Sequence, residues 1–173
     1  MSTTIEVLDH GALIAFSFED VMKYHGPRSP GGAAHAFKVL ERALPLLNPD
    51  SPCERREILL ETAFRGPGAR DAFELVTRAV TENRFRIDPA LARPERGRAL
   101  ERFVFRVGYR ERWATLAVRE GFVTEEFIDL ARTEQRSPEE ERRLDALKRE
   151  MAERVMARPA SEVYDASDPL APV

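Results

Sequence analysis

Two of the three histidines of this chain, an arginine and three glycines fall within residues 24–35, where a loop leads into a helix. The imidazole of His25 can act as an acid or a base, because it titrates near neutral pH. Arg28 lies beside the helix start at Gly31–Gly32, where free backbone N–H groups carry partial positive charge. An arginine and a helix N-terminus together can hold a carboxylate or a phosphate. This segment therefore predicts a site for a small anionic molecule.

Simpler roles are open for each side chain of the segment. His25 at the end of the preceding helix stabilises that helix when it is charged, and Arg28 is equally consistent with a surface residue. Ser29 is a candidate substrate contact, but a role as N-cap is favoured over one as a nucleophile, which needs a general base within hydrogen-bond reach. His35 is another candidate contact, and its place off the apolar stripe favours a partly exposed histidine.

Two carboxylates one helical turn apart, Asp71 and Glu74, are candidates to support an acid–base reaction. The same spacing is that of a capping box at the start of a helix, which is the favoured interpretation. Arg70 precedes this pair and Arg78 follows it, and both are candidate contacts for an anionic substrate. Arg65 is a further candidate, because it flanks a Gly-Pro-Gly turn.

The elements that position these residues follow from hydrophobic spacing and from start and stop signals. Ser17 and Asp20 have the spacing of a capping box and open a first helix, which stops near Gly26. Alternating apolar residues predict an antiparallel hairpin over 101–119. The other predicted elements are a short mixed segment over 5–16, a helix over 29–47, a strand over 56–64, a helix over 71–80, a short strand over 84–87, a loop over 88–99, helices over 123–131 and 137–156, and an extended tail from Pro159.

This order of elements predicts a single α+β domain over residues 1–173, a length that one domain can have. We expect helices packed on one face of a small, mainly antiparallel sheet. The core of that domain covers about residues 17–135. A C-terminal helical extension and tail follow over residues 136–173.

The order helix, His-Gly loop, helix, strand, Gly loop with an Asp-Ala helix, and hairpin resembles the FmdE family, which is named after a component of formylmethanofuran dehydrogenase. That family opens a helix with a His-Gly-His-x-Cys-Pro-Gly motif, and the matching residues here are 25–31. The Asp-Ala-Ile-Gln helix of the family is similar to 71–74, its Thr-Gly-Cys-Thr segment to 77–80, its hairpin to 101–119, and its Pro-x-Glu-Leu-Phe tail to 159–164. The similarity covers about residues 17–165.

The metal ligands of that family are mostly replaced in this chain. Pro27 stands at the second His of the motif, Ser29 at its first Cys, and Ala79 at the second Cys. His25 is the one ligand candidate that matches, and a single histidine does not hold zinc. The resemblance therefore implies the fold and the position of the pocket, and we expect no cofactor in it.

The leading hypothesis is a small-molecule enzyme with a repurposed, metal-free FmdE-like pocket. It acts by proton transfer or lyase-type chemistry on a small anionic substrate. His25 is the acid/base, Asp71 or Glu74 is the supporting carboxylate, and Arg28 with the following helix start is the anion clamp. A second hypothesis keeps a divalent metal, held by His25 and His35 with one of the two carboxylates as N/O ligands.

A third hypothesis is a non-catalytic accessory or dimerising subunit, and a homodimer is the expected assembly. The last long helix carries a narrow apolar stripe flanked by charges, which is typical of a surface that faces a partner. The stripe consists of Leu144, Leu147, Met151 and Val155.

Composition argues against two classes of partner. The chain has 27 basic and 30 acidic residues and a net charge of −3, so no positive excess indicates nucleic acid or an anionic membrane. No apolar run approaches the roughly 20 residues that cross a bilayer, and the N-terminus shows no signal-peptide pattern. Cys53, the one cysteine, is expected to be a bystander thiol. These features predict a cytoplasmic protein.

Overall fold

The structure is a computed structural model that describes residues 3–167 and Pro169. This part of the chain contains two β-sheets and six α-helices. This arrangement confirms the predicted α+β class, although the strands form two sheets rather than one. The helices are α1 (Phe18–His25), α2 (Pro30–Leu47), α3 (Pro67–Thr77), α4 (Glu125–Arg132), α5 (Pro138–Met156) and α6 (Ala160–Val163).

The smaller sheet has the strand order β2-β1-β3 and the larger one the order β5-β4-β6-β7-β8. Parallel pairing occurs between β1 and β3 and between β4 and β5, while the other neighbours are antiparallel. The strands are β1 (Thr4–Asp9), β2 (Ala12–Ser17), β3 (Cys53–Glu54), β4 (Leu59–Thr62), β5 (Phe85–Ile87), β6 (Val104–Tyr109), β7 (Arg112–Val118) and β8 (Tyr164–Ala166).

Local signals placed several elements correctly. The capping box at Ser17 and Asp20 is present, with the Ser17 hydroxyl accepting from the Asp20 N–H at 3.1 Å. The same carboxylate accepts from the Ser17 N–H, and this backbone hydrogen bond lowers the pKa of Asp20. The predicted hairpin over 101–119 is formed by β6 and β7, and the helix predicted from Ser137 is α5.

Several segments differ from the sequence-based prediction, and the strand predicted over 56–64 is shortened to β4 because a 3-10 helix covers Arg55–Glu57. Residues 5–16 lie in the β1–β2 hairpin, where Ile5 and Val7 are buried and the residue between them is exposed. The tail from Pro159 is not simply extended, because α6 turns it back and β8 pairs with β7. Helix α3 begins at Pro67 rather than at Asp71, since the Gly-Pro-Gly segment supplies its N-cap and first turn.

Helix α2 lies at the centre of the fold. It packs against α3 on one side, α5 on the other, and the larger sheet beneath. Its first half is rich in alanine, with Ala33, Ala34 and Ala36 fully buried, and such small side chains let neighbouring helices approach closely. This central position makes nearly the whole circumference of α2 apolar or buried.

The apolar stripe of α5 is covered by the chain itself. Leu144, Leu147, Met151 and Val155 are all buried, and α5 makes its most extensive helix contact with α2. The prediction that this stripe faces a partner is therefore wrong, because the stripe already packs against a helix of the same chain. Across residues 3–167 and Pro169, the structure contains no helix with the length and apolar character needed to cross a membrane.

Candidate functional site

A cavity of about 680 Å³ opens between the starts of α2 and α3 on one side and helices α4 and α5 on the other. Its volume is within the range of small-molecule sites. The larger apolar side chains of its wall are Phe64, Phe103, Phe127, Ile128 and Leu144. The rings of Phe64 and Phe103 stack with their centroids 4.4 Å apart, which makes one firm aromatic surface.

The charged residues of the cavity wall are all basic. Among the described residues that line it, none is Asp or Glu, although the whole chain has more acidic than basic residues. The seven basic residues are Arg28, Arg65, Arg98, Arg102, Arg132, Arg136 and Lys148. A concave surface with charges of one sign concentrates the opposite charge, so this cavity favours anions.

The starts of α2 and α3 have the same unusual chemistry. Each has the pattern N-cap, proline, glycine, and neither has a side-chain cap or an acidic residue in its first turn. By contrast, α1, α4 and α5 each have a capping hydroxyl and acidic residues in that turn. The first N–H groups of a helix have no acceptor within the helix. Two helix starts therefore bring uncompensated partial positive charge to the cavity.

These two helix starts contact each other through glycines. A Cβ atom on Gly68 would lie 2.2 Å from the Ser29 carbonyl oxygen and 2.8 Å from the Ala33 nitrogen. A Cβ atom on Gly32 would lie 3.2 Å from the Ala69 nitrogen. The absence of side chains at Gly32 and Gly68 is thus what lets the two first turns meet.

His25 is held at this place by a carboxylate from α3. Its Nδ1 lies 2.8 Å from Oδ2 of Asp71, and its side chain is only 5% exposed, whereas that of Asp71 is 37% exposed. Because a carboxylate accepts hydrogen bonds, Nδ1 carries the proton and donates it to Asp71. This leaves Nε2 as a lone-pair acceptor in the neutral imidazole.

The second ring nitrogen of His25 has no partner within the described part of the chain. The Nε2 atom is buried and makes no hydrogen bond to any described residue. His25 is also one of the residues that line the cavity. Buried polar atoms are almost always hydrogen-bonded, so an unpartnered one calls for an explanation, such as a catalytic role or a bound molecule. An imidazole oriented by a carboxylate and free at its other nitrogen can accept or deliver a proton.

His35, the other histidine of the segment, lies in the core and does not line the cavity. It is fully buried, so the expectation of a partly exposed side chain is wrong. Its Nε2 lies 3.2 Å from the Met151 sulfur, which can only accept, and its Nδ1 lies 2.8 Å from the Tyr164 hydroxyl, which therefore donates. Burial, with a smaller contribution from the Arg154 charge, lowers the pKa of His35 to about 3.

Glu74 and Arg78 stabilise the far end of α3 instead of the cavity. The buried Glu74 carboxylate accepts hydrogen bonds from the backbone N–H of Thr81, at 2.9 Å, and from the Thr81 hydroxyl. Arg78 ends α3 in a left-handed conformation and lies 3.8 Å from that carboxylate. The proposed capping box of Asp71 and Glu74 is wrong, because both residues lie inside the helix.

The sequence-based candidates separate into two groups. The candidates that line the cavity are His25, Arg28, Ser29, Gly31, Gly32 and Arg65, and Asp71 reaches it through its hydrogen bond to His25. The candidate contacts outside its wall are the exposed Arg70, together with His35, Glu74 and Arg78. Ser29 makes no side-chain cap bond, which leaves its hydroxyl available at the cavity wall.

Several cavity residues were not predicted from the sequence. Arg98 and Arg102 lie in the connection before β6, and the other missed cations come from α4, from the α4–α5 connection and from α5, namely Arg132, Arg136 and Lys148. The sequence held little signal for them, because Arg132 ends α4, Arg136 lies in a connection, and Lys148 follows the buried Leu144 by one turn as any residue on a solvated helix face can.

The metal hypothesis receives no geometric support from its two histidines. Both ring nitrogens of His35 are engaged in the core, so His35 cannot join His25 as a second nitrogen ligand. Within residues 3–167 and Pro169, no group of three or more His, Cys, Asp or Glu side chains is placed to hold a metal ion.

Comparison with known proteins adds no family assignment, so the FmdE resemblance stays a prediction. No protein-family model matches the chain, and no curated protein sequence matches it.

Proposed function

We propose that this chain is an enzyme that binds a small organic anion in the basic cavity and moves a proton with His25. The observation that supports this most is the meeting of an all-basic wall with a carboxylate-oriented histidine. Either feature alone is common on protein surfaces. Together with two uncapped helix starts, they combine a place for negative charge with a group for acid–base chemistry.

The anionic group of the substrate lies at the starts of α2 and α3 in this proposal. There the N–H groups of Gly31 and Gly32 donate to it, and Arg28 and Arg65 supply full positive charges. The rest of the substrate lies against the apolar wall around Phe64 and Phe127. Fixing the anion and the apolar part at the same time places the reacting carbon in one orientation relative to His25.

His25 then acts at a carbon next to a carbonyl or carboxylate group of the substrate. Its Nε2 lone pair removes a proton, and the electron pair of the broken C–H bond is delocalised into that group as an enolate, whose added charge helix N–H donors and arginines stabilise. The imidazolium that forms is stabilised by the Asp71 carboxylate at Nδ1. Return of the proton, or departure of a neighbouring group, completes an isomerisation or a lyase reaction.

Proton exchange at carbon tests both halves of this proposal in one sample. Small carboxylates and phosphate esters with an acidic C–H group are incubated with the protein in D2O and followed by proton NMR. Saturation transfer from the protein reports binding, and loss of the C–H signal reports catalysis. We expect binding and exchange for the wild type, with exchange at least about 100-fold slower in His25→Gln and Asp71→Asn.

The controls separate chemistry from folding. His10→Gln changes a histidine that is 83% exposed and outside the cavity wall, so it should exchange at the wild-type rate. Binding by His25→Gln should persist, because the anion is held by other groups. Wild-type exchange in His25→Gln would contradict the acid–base role, and absence of saturation transfer to every anion would contradict the proposal as a whole.

A further inference from the structure

Four of the seven cations in the cavity wall lack a carboxylate partner. Arg98, Arg132 and Arg136 each pair with an acid outside the wall, namely Asp129, Glu101 and Glu141, all at 2.9 Å. The other four, Arg28, Arg65, Arg102 and Lys148, have no carboxylate within 4.0 Å among residues 3–167 and Pro169. The wall therefore keeps about four full positive charges that no described side chain compensates.

These charges come from different sides of the same space. Arg28 and Arg65 immediately precede the N-caps of α2 and α3, Arg102 precedes β6, and Lys148 lies on α5. The Lys148 backbone contacts the start of α2, since its carbonyl oxygen is 3.3 Å from where a Gly31 Cβ would be. The four cations thus surround the two helix starts, each of which adds roughly half a positive charge.

A single carboxylate is too small a charge for this arrangement. It compensates one cation and offers acceptor oxygens in only one plane. A phosphoryl group carries roughly −1.5 to −2 at neutral pH and presents oxygens on three sides, as converging helix starts and arginines require. A second phosphoryl group linked to the first matches the remaining cations.

Besides these cations, the cavity wall contains a second polar group that the described residues leave partly unpartnered, the His25 side chain. The side chain of His25 is only 5% exposed and has an unpartnered Nε2 among the described residues, which is a second and independent indication of a missing ligand. Because Nε2 is an acceptor, it faces a proton-bearing group of that ligand and not a phosphoryl oxygen. The apolar wall formed by Phe64, Phe127 and Leu144 requires that the ligand also have an apolar part.

We infer that the ligand of this cavity is a diphosphate ester, with a pyrophosphoryl group at the two helix starts and an apolar substituent against the aromatic wall. This inference rests on the proposed function and names the substrate class for that site. Magnesium ions that bind phosphates in proteins are usually held by carboxylates, but none of the described lining residues is acidic. In this cavity the arginine and lysine side chains supply the positive charge that a magnesium ion would otherwise provide. Binding of the diphosphate therefore does not need a divalent metal.

Isothermal titration in buffer with EDTA tests this inference with defined probes, namely inorganic pyrophosphate, inorganic phosphate, citrate and benzoate. We expect pyrophosphate to bind at least about tenfold more tightly than each of the other three, since it makes at least one further charged contact. ADP and an alkyl diphosphate then identify the substituent. If ADP or the alkyl diphosphate binds more tightly than pyrophosphate, the inference is supported. The tighter of the two shows whether the apolar substituent is an aromatic base or an aliphatic chain.

Two matched pairs of variants show that the contacts are those of the cavity. Arg65→Gln and Lys148→Gln should each raise the Kd for pyrophosphate by about tenfold. Arg70→Gln and Arg149→Gln should leave it unchanged, because these exposed neighbours do not line the cavity. Thermal unfolding of each variant verifies that it is folded.

The outcomes distinguish this inference from the proposed function. Benzoate or citrate binding as tightly as pyrophosphate would overturn the diphosphate assignment and leave anion binding intact. The diphosphate assignment would also be overturned if pyrophosphate bound only in the absence of EDTA. Equal weakening of pyrophosphate binding by Arg65→Gln and Arg70→Gln would overturn it as well. If none of the anions binds, both the inference and the proposed function fail.

Discussion

Acidification from pH 6.5 to pH 3 is expected to remove about 4 kcal/mol of the free energy of unfolding through His35 alone, because its pKa falls from the ordinary value of 6.5 to about 3 on folding. Above pH 6.5 neither state binds this proton, and the contribution is complete. Between pH 6.5 and 3 the unfolded chain binds the proton and the folded chain does not, so stability falls as the pH falls. Below pH 3 both states are protonated and the loss stops growing.

Urea unfolding at several pH values measures this effect. His35→Gln keeps an acceptor for the Tyr164 hydroxyl but cannot titrate, so its stability should depend less on pH than that of the wild type between pH 6.5 and about 4. His10→Gln removes an exposed histidine and should retain the wild-type dependence. Equal slopes for His35→Gln and the wild type would show that His35 is not the neutral core residue that its contacts indicate.

Gly68→Ala is expected to lower the free energy of unfolding by about 3 kcal/mol, at the upper end for an overpacked site. The new methyl group would lie 2.2 Å from the Ser29 carbonyl oxygen, closer than any real Cβ contact. Because its neighbours are backbone atoms, no side-chain rotation relieves the clash, and the starts of α2 and α3 must separate. Anion affinity should fall with them, since both helix starts face the cavity.

Gly31→Ala is the matched control, because it adds the same methyl group to the equivalent position of α2. Its nearest neighbour is the Met151 sulfur, 3.0 Å away in a flexible side chain, and the nearest backbone atom, the Lys148 carbonyl oxygen, is 3.3 Å away, which requires a shift of only a few tenths of an ångström. We expect a change in stability within about 1 kcal/mol, since alanine also favours the helix more than glycine does. Urea denaturation of the two variants, read by circular dichroism, compares them. A Gly68→Ala protein as stable as Gly31→Ala would contradict the close contact.

Features encoded by neighbouring residues could be predicted from the sequence. Ser17 and Asp20 form their capping box within one turn, and the β6–β7 hairpin follows from alternation along 101–119. The loop and helix start around His25 likewise draw attention to the segment that lines the cavity. In each case the signal and the structure lie within a few residues of each other.

Features that depend on helix packing could not be predicted. The hydrogen bond from His25 to Asp71 joins residues 46 positions apart, and it exists because α1 packs on α3. His35 looked exposed since its place is off one apolar stripe, yet α2 is covered by α3, α5 and the larger sheet. The spacing of Asp71 and Glu74 fits any two residues on one helix face, so it did not locate the helix start.

Backbone amide NMR tests the central claim most directly, because the nine glycines of the chain include three in the cavity wall. The labelled protein is titrated with pyrophosphate and, in a second sample, with benzoate. Anion binding at the two helix starts predicts large, saturable shifts for the amides of Gly31, Gly32 and Gly66. The amides of Gly11 and Gly108, which are outside the wall, should stay in place. The proposed site would be contradicted if saturating amounts of both anions left the amide signals of Gly31, Gly32 and Gly66 unshifted. Equal shifts of all glycine amide signals would contradict it as well.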